Sequence, residues 1–152
     1  GFSIMPSTVR LSATELVMTT RRREGKGEDH HRWIDTWGSL DNGQSWKFLN
    51  NAVNDLGEGN PPSLIQLRDG RLAVTYGDRK APFEIRTKLS SDGGRTWGSS
   101  FVLHAVGGGR DMGYARSLQR PDGKVVTLYY HYSPDNVHRR ISATIWDPGT
   151  AE

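Results

Sequence analysis

Two eight-residue stretches constrain this chain more than any others. Ser-Leu-Asp-Asn-Gly-Gln-Ser-Trp at 39–46 and Ser-Ser-Asp-Gly-Gly-Arg-Thr-Trp at 90–97 both fit Ser-x-Asp-x-Gly-x-(Ser/Thr)-Trp. Ser39, Asp41, Gly43, Ser45 and Trp46 match Ser90, Asp92, Gly94, Thr96 and Trp97 at a constant offset of 51 residues. Five matched positions at one spacing mark a chain built from repeats.

The repeat extends beyond the box. PSTVRLSATELVMTT (6–20), PSLIQLRDGRLAVTY (62–76) and ARSLQRPDGKVVTLYY (115–130) align on Ser7, Ser63 and Ser117. Each reads as a strand, a turn and a second strand. The turns at Arg68-Asp69-Gly70-Arg71 and Pro121-Asp122-Gly123-Lys124 carry the Asp-Gly hairpin signal, and Ser12-Ala13-Thr14-Glu15 is a weaker version. A third strand follows at Trp33–Gly38, Ile85–Leu89 and Arg140–Trp146. A fourth comes after each box, at Lys47–Leu49 and Phe101–Leu103, whereas the third copy has Asp147-Pro148-Gly149 in place of a box. Four short antiparallel strands in about fifty residues are the unit of a β-propeller blade. The spacing predicts an all-β chain of about three such blades over residues 1–152, with repeats at approximately 5–57, 58–110 and 111–152. No stretch carries a helical apolar period.

The box has a structural explanation. Its Asp accepts backbone N–H groups across a tight turn. Gly43 and Gly94 take a backbone conformation that a Cβ resists. The Ser or Thr hydroxyl adds a local bond, and Trp46 and Trp97 bury a large ring with an N–H to satisfy. Ser39, Asp41, Gly43, Trp46, Ser90, Asp92, Gly94 and Trp97 are therefore read as folding residues.

Composition excludes several classes. A net charge of +3 with scattered basic residues gives no nucleic-acid stripe, and Arg21-Arg22-Arg23 reads as a solvated strand end or loop. There is no cysteine, hence no disulfide framework and no thiolate site. No apolar run reaches the length of a membrane span and no signal peptide is visible, so a soluble chain without a membrane partner is expected. Gly107-Gly108-Gly109 has no following helix or Lys-Ser/Thr to make a phosphate loop. His30, His31, His131 and His138 lack the partners of a metal site, so neither metal nor cofactor is expected.

The boxes resemble the Asp-boxes, or bacterial neuraminidase repeats, of sialidase-like proteins. GNPPSLIQLRDGRLAVTYGDR (59–79), IRTKLSSDGGRTWG (85–98), GYARSLQRPDGKVVTLYYH (113–131) and ISATIWDPG (141–149) resemble the C-terminal half of bacterial members of that superfamily. The resemblance implies a six-bladed propeller with its active site at the central mouth, away from the boxes. It also implies a glycan-related role, namely hydrolysis of terminal sialic acid or another anionic sugar. The alternative is a non-catalytic propeller that binds an anionic glycan or a protein, or only assembles.

The family's chemistry uses arginines that grip a carboxylate, a Tyr nucleophile activated by a Glu, and an Asp general acid/base. On that pattern Arg79 and Arg116 are the substrate-binding candidates, and Asp111 and Tyr114 the catalytic ones. Asp111 lies in a glycine-rich loop, and Tyr114 adjoins Gly113 and Arg116 at the start of an inner strand. Asp78 and Glu24 are weaker acids, and Arg86 reads as structural. Tyr76, Tyr129 and Tyr130 lie in strands and read as core. The chain departs from the family pattern at Met5-Pro6-Ser7, where no Arg precedes the proline, and no Tyr–Glu pair stands out.

Three blades do not close a ring of ~4–8. Two copies would supply the family's six, so a homodimer is expected, with Phe2-Ser3-Ile4 lending the third repeat its missing strand.

Overall fold

The computed structural model describes residues 1–27, 30–106 and 108–149. Gly107, the first residue of the glycine run, lies outside the described residues. Among the described residues, eleven strands form three antiparallel sheets. The first contains β1 (Phe2–Arg10), β2 (Leu16–Glu24), β3 (His31–Ser39) and β4 (Lys47–Val53), in that spatial order. The second contains β5 (Ser63–Gln66), β6 (Leu72–Asp78), β7 (Glu84–Ser90) and β8 (Phe101–Ala105). The third contains β9 (Gly113–Gln119), β10 (Val125–Ser133) and β11 (Asn136–Trp146). These are propeller blades, with β1, β5 and β9 innermost and side by side.

Alternation along each second strand decides which face is buried. Leu72, Val74 and Tyr76 of β6 point at the first sheet and pack with Val17, Ile34, Ala52 and Leu56. Their neighbour Ala73 packs with Val125 and Trp146 of the third sheet. Both faces of the second sheet are thus buried, and β6 reads as a continuous apolar run rather than an alternating one. The aligned serines join the inner strands. Ser7 Oγ accepts the Leu64 N–H at 2.9 Å, and Ser63 Oγ accepts the Ser117 N–H at 3.0 Å.

Both boxes form hydrogen-bonded turns. Asp41 Oδ1 accepts the Ser45 N–H at 2.8 Å and the Ser39 hydroxyl at 2.8 Å, and its Oδ2 accepts the Ser45 hydroxyl at 2.5 Å. Asp92 repeats this with Thr96 N–H at 2.9 Å, Ser90 at 2.8 Å and the Thr96 hydroxyl at 2.6 Å. Gly43 and Gly94 sit at φ of 89° and 84°. The two tryptophans differ. Trp46 Nε1 donates to its own turn at Gly43 O, 3.1 Å away, whereas Trp97 Nε1 reaches the preceding sheet at Thr36 Oγ1, also 3.1 Å.

One expectation fails. Phe2-Ser3-Ile4 does not serve the third sheet: Phe2, Ser3 and Ile4 pair with Arg23, Arg22 and Arg21, extending β1 across a register shift before Ser7. The Phe2 ring lies under the Arg21 and Arg23 guanidinium groups at 5.4 and 5.8 Å, a cation–π arrangement that favours this pairing. The third sheet has three strands among the described residues.

Candidate active site at the pore mouth

Strand direction sorts the loops into two ends. Both boxes close β3–β4 and β7–β8 at one end. The loops after β2, β4, β6 and β8 lie at the other, and the candidate residues gather there. Arg79 follows β6 directly. Its Nε and Nη2 donate to Met112 O at 3.1 and 2.9 Å, and Nη2 also reaches the Tyr130 hydroxyl at 3.3 Å. The Tyr130 hydroxyl donates to Asp111 Oδ1 at 2.6 Å. Arg139 holds the other carboxylate oxygen at 2.6 to 2.8 Å. The Tyr114 ring stands 5.8 Å from that of Tyr130. Tyr114 and Arg116 line a cleft of about 180 Å³ with Met5, Pro6, Pro61 and Pro62, between the inner strands. Arg79, Asp111 and Tyr114 are thus linked through Tyr130, and Arg116 shares its cleft with Tyr114.

Tyr130 corrects the sequence reading. It is not a core residue; it is half-buried and sits at the centre of the network. Tyr129, one position earlier, faces inward and is buried. Burial, followed by the bond to Asp111, pushes the Tyr130 hydroxyl up to about 12. The same bond, then Arg139, holds the Asp111 carboxyl below its usual range, so Asp111 is a carboxylate at neutral pH and accepts the Tyr130 hydrogen bond without taking the proton. The carboxyl that burial pushes upward, Asp35, belongs to a separate cluster bonded by Trp33 and Asn51.

The backbone here is held by a residue that the sequence did not single out. Asn60 is fully buried; its Nδ2 donates to Met112 O at 2.7 Å and its Oδ1 accepts the Tyr114 N–H at 2.8 Å. Gly113 lies between these two anchors at φ 115°, and a Cβ there would sit 2.2 Å from Asn60 Nδ2. Asn60 therefore fixes the entry into β9 and holds Tyr114 at a strained φ of 51°.

Arg21 is the second correction. It is half-buried rather than solvated, and its Nε is buried with no hydrogen-bond partner. Burial, and the charges of Arg32, Arg79 and Arg23, lower its pKa, while Tyr114 acts the other way. Arg32 is paired with Glu58 at 3.0 Å, but no ion pair to Arg21 forms among the described residues. Arg86 bonds Ser100 at 3.1 Å and pairs with Glu84. Among the described residues no group of three or more His, Asp or Glu could hold a metal, and no helix is long and apolar enough to cross a membrane.

The BNR repeat-like domain model matches residues 2–127. The chain belongs to this family. The BNR-repeat chain also resembles solved propellers. A protein of unknown function from Dyadobacter fermentans is 24% identical, with a TM-score of 0.73 over 95% of this chain and 38% of that one. The family-93 α-L-arabinofuranosidase of Fusarium graminearum, solved with arabinobiose, is 18% identical, with a TM-score of 0.71 over 95% of this chain and 45% of that one. A fucose lectin from Kordia zhangzhouensis, solved with methyl-fucoside, is 14% identical, with a TM-score of 0.60 over 94% of this chain and 92% of that one. The BNR-repeat chain spans less than half the length of the first two. No curated protein sequence matches it.

Proposed function

We propose that the pore mouth binds an acidic sugar. The observation that carries this is the Tyr130 hydroxyl held between Arg79 and Asp111, beside the cleft of Tyr114 and Arg116. Arg21, half-buried and without an ion partner among the described residues, adds positive charge that a sugar carboxylate would neutralise. Aromatic rings at the cleft suit the apolar face of a pyranose. Glycoside hydrolase and lectin neighbours fit a glycan ligand.

Hydrolysis of a terminal sialic acid or other acidic sugar is the enzymatic form of this reading. Tyr130 with Asp111 as its base stands for the nucleophile pair, and Tyr114 for a residue contacting the sugar. A binding-only role is favoured by the setting of Tyr130: burial and the bond to Asp111 push its hydroxyl up to about 12, away from a phenolate nucleophile. Turnover of fluorogenic sialosides and uronides, with calorimetric binding of the free acids, separates the two. Binding without turnover supports the second reading. Neither binding nor turnover, with fucose or arabinose preferred, contradicts the acidic-sugar proposal.

We further propose that two copies complete one six-bladed ring. The third sheet's outer face exposes Leu118 (56%), Leu128 (44%), Ile141 (75%) and Ile145 (54%), in a position equivalent to faces buried elsewhere in the chain. On the first sheet, Trp46 turns its N–H inward where Trp97 uses the same atom to grip a preceding blade. Light scattering at micromolar concentration is expected to give twice the chain mass; a folded monomer would contradict it.

A further inference from the structure

The seam between the second and third sheets contains a cluster of three rings that the mouth does not use. His104 of β8 faces His131 and Tyr129 of β10, with ring centroids 4.9 and 5.4 Å away, and Tyr129 and His131 are 5.7 Å apart. His131 is 3% exposed. Its Nε2 lies 2.9 Å from Ser142 Oγ, and its Nδ1 is buried with no hydrogen-bond partner. The Tyr129 hydroxyl is 2.8 Å from Thr144 Oγ1.

The surroundings are apolar or cationic among the described residues. Ile85, Val106, Met112 and Phe83 form the apolar cluster in which Tyr129 is buried, and Ile85 is paired with His104 across β7 and β8. From β11 the charged neighbour is Arg140, a cation. Among the described residues no carboxylate bonds either imidazole. Burial lowers the His104 pKa, and the His131 and Arg140 charges act in the same direction.

We propose that the His104–His131 contact is a pH-sensitive latch across this seam, closed while His104 is neutral and loosened when it takes a proton. An imidazolium at His104 would place a cation 4.9 Å from the buried His131 ring and near Arg140. The same seam carries the Arg79 bonds to Met112 O and Tyr130, so loosening it reaches the mouth. The latch does not depend on what the mouth binds.

The direction follows from proton counting. Free histidine titrates near ~6.5. With the folded His104 pKa lowered, the unfolded or opened state binds more protons below that pH. Stability of the seam is therefore fully present above ~6.5 and falls as the pH drops below it.

The test is hydrogen exchange of the full chain from pH 7.5 to 5.5, corrected for intrinsic rates, on wild type, His104→Gln and His104→Phe. Wild-type protection over 101–106 and 125–131 is expected to fall several-fold more than over 16–24 and 31–39, because the opened state takes up the His104 proton more readily than the closed one. Both substitutions should abolish this excess. Equal loss in all segments, or the same pH dependence in the variants, would overturn the latch. If neither variant folds, imidazole NMR on the wild type decides: His104 titrating below ~6.5 supports the proposal, and titration at or above it refutes it.

Discussion

The Tyr130 hydroxyl donates to Asp111 Oδ1 at 2.6 Å, while Arg139 grips the opposite oxygen of the same carboxylate. The bond joins the loop before β9 to the middle strand of the third sheet, and Arg79 ties both to the second. Removing the hydroxyl in Tyr130→Phe breaks the link without changing ring volume. A neutral-to-charged hydrogen bond of this kind contributes about 1.5–3 kcal/mol, part of it offset here by water reaching Asp111. We expect acidic-sugar binding to weaken at least tenfold by calorimetry, with a melting temperature lowered by only a few degrees. The Asp111 pKa should rise towards its ordinary value, because its largest downward influence is gone.

Asn60→Ala is expected to be much more costly to the fold. It removes both bonds of a fully buried amide and leaves the Tyr114 N–H without its partner, while Met112 O keeps only its bonds from Arg79. Losses of this type amount to about 2–4 kcal/mol. Urea titration should show a lower midpoint with an unchanged slope. Unchanged stability would mean that the loop before β9 is held by other contacts.

The two boxes predict an acid limit. Hydrogen bonds from the Ser45 side chain and backbone, then Ser39, hold Asp41 at about 2. At Asp92 burial acts upward, but the Thr96 and Ser90 bonds outweigh it and bring the group to about 2. A carboxyl depressed on folding contributes stability that is complete above the unfolded value near ~3.9 and is lost as pH falls towards 2. Melting curves from pH 5 to 2 should therefore fall steeply for wild type. Asp41→Asn and Asp92→Asn should start lower and fall less. Parallel curves would contradict this role.

Trp97→Phe and Trp46→Phe offer a matched pair. Each loses an indole N–H bond, but Trp97 loses one between sheets and Trp46 one within its own turn. Trp97→Phe should destabilise by about 1 kcal/mol more, the worth of a net hydrogen bond, in chemical denaturation. Equal effects would mean that the sheet-to-sheet bond to Thr36 adds nothing.

The blade architecture was legible because the features that encode it are local. Asp41 and Asp92 bond within four residues, and Gly70 and Gly123 close hairpins between adjacent strands. The aligned serines were visible, though their role as bridges between inner strands was not. The mouth was only partly legible. Asp111, Tyr114, Arg79 and Arg116 were singled out as candidates, but Tyr130 looked like core because strand alternation does not say which face meets a loop. Its neighbour Tyr129, buried where Tyr130 is half-buried, was the available clue. Asn60 sits in a Gly-Asn-Pro-Pro run that reads as an exposed turn; it is buried because two long loops meet there. Phe2–Ile4 reads as belonging to the third repeat, whereas it pairs with Arg21–Arg23 in the first sheet across a register shift before Ser7.

The central claim is that an acidic sugar sits at the mouth against Arg79 and Arg116. Calorimetric titration of wild type, Arg79→Met and Arg116→Met with N-acetylneuraminic acid and its methyl ester tests it most directly. The account predicts that wild type binds the acid at least tenfold more tightly than the ester, and that each substitution removes most of that difference. Equal affinity of wild type for acid and ester, or an undiminished preference in both variants, would contradict it.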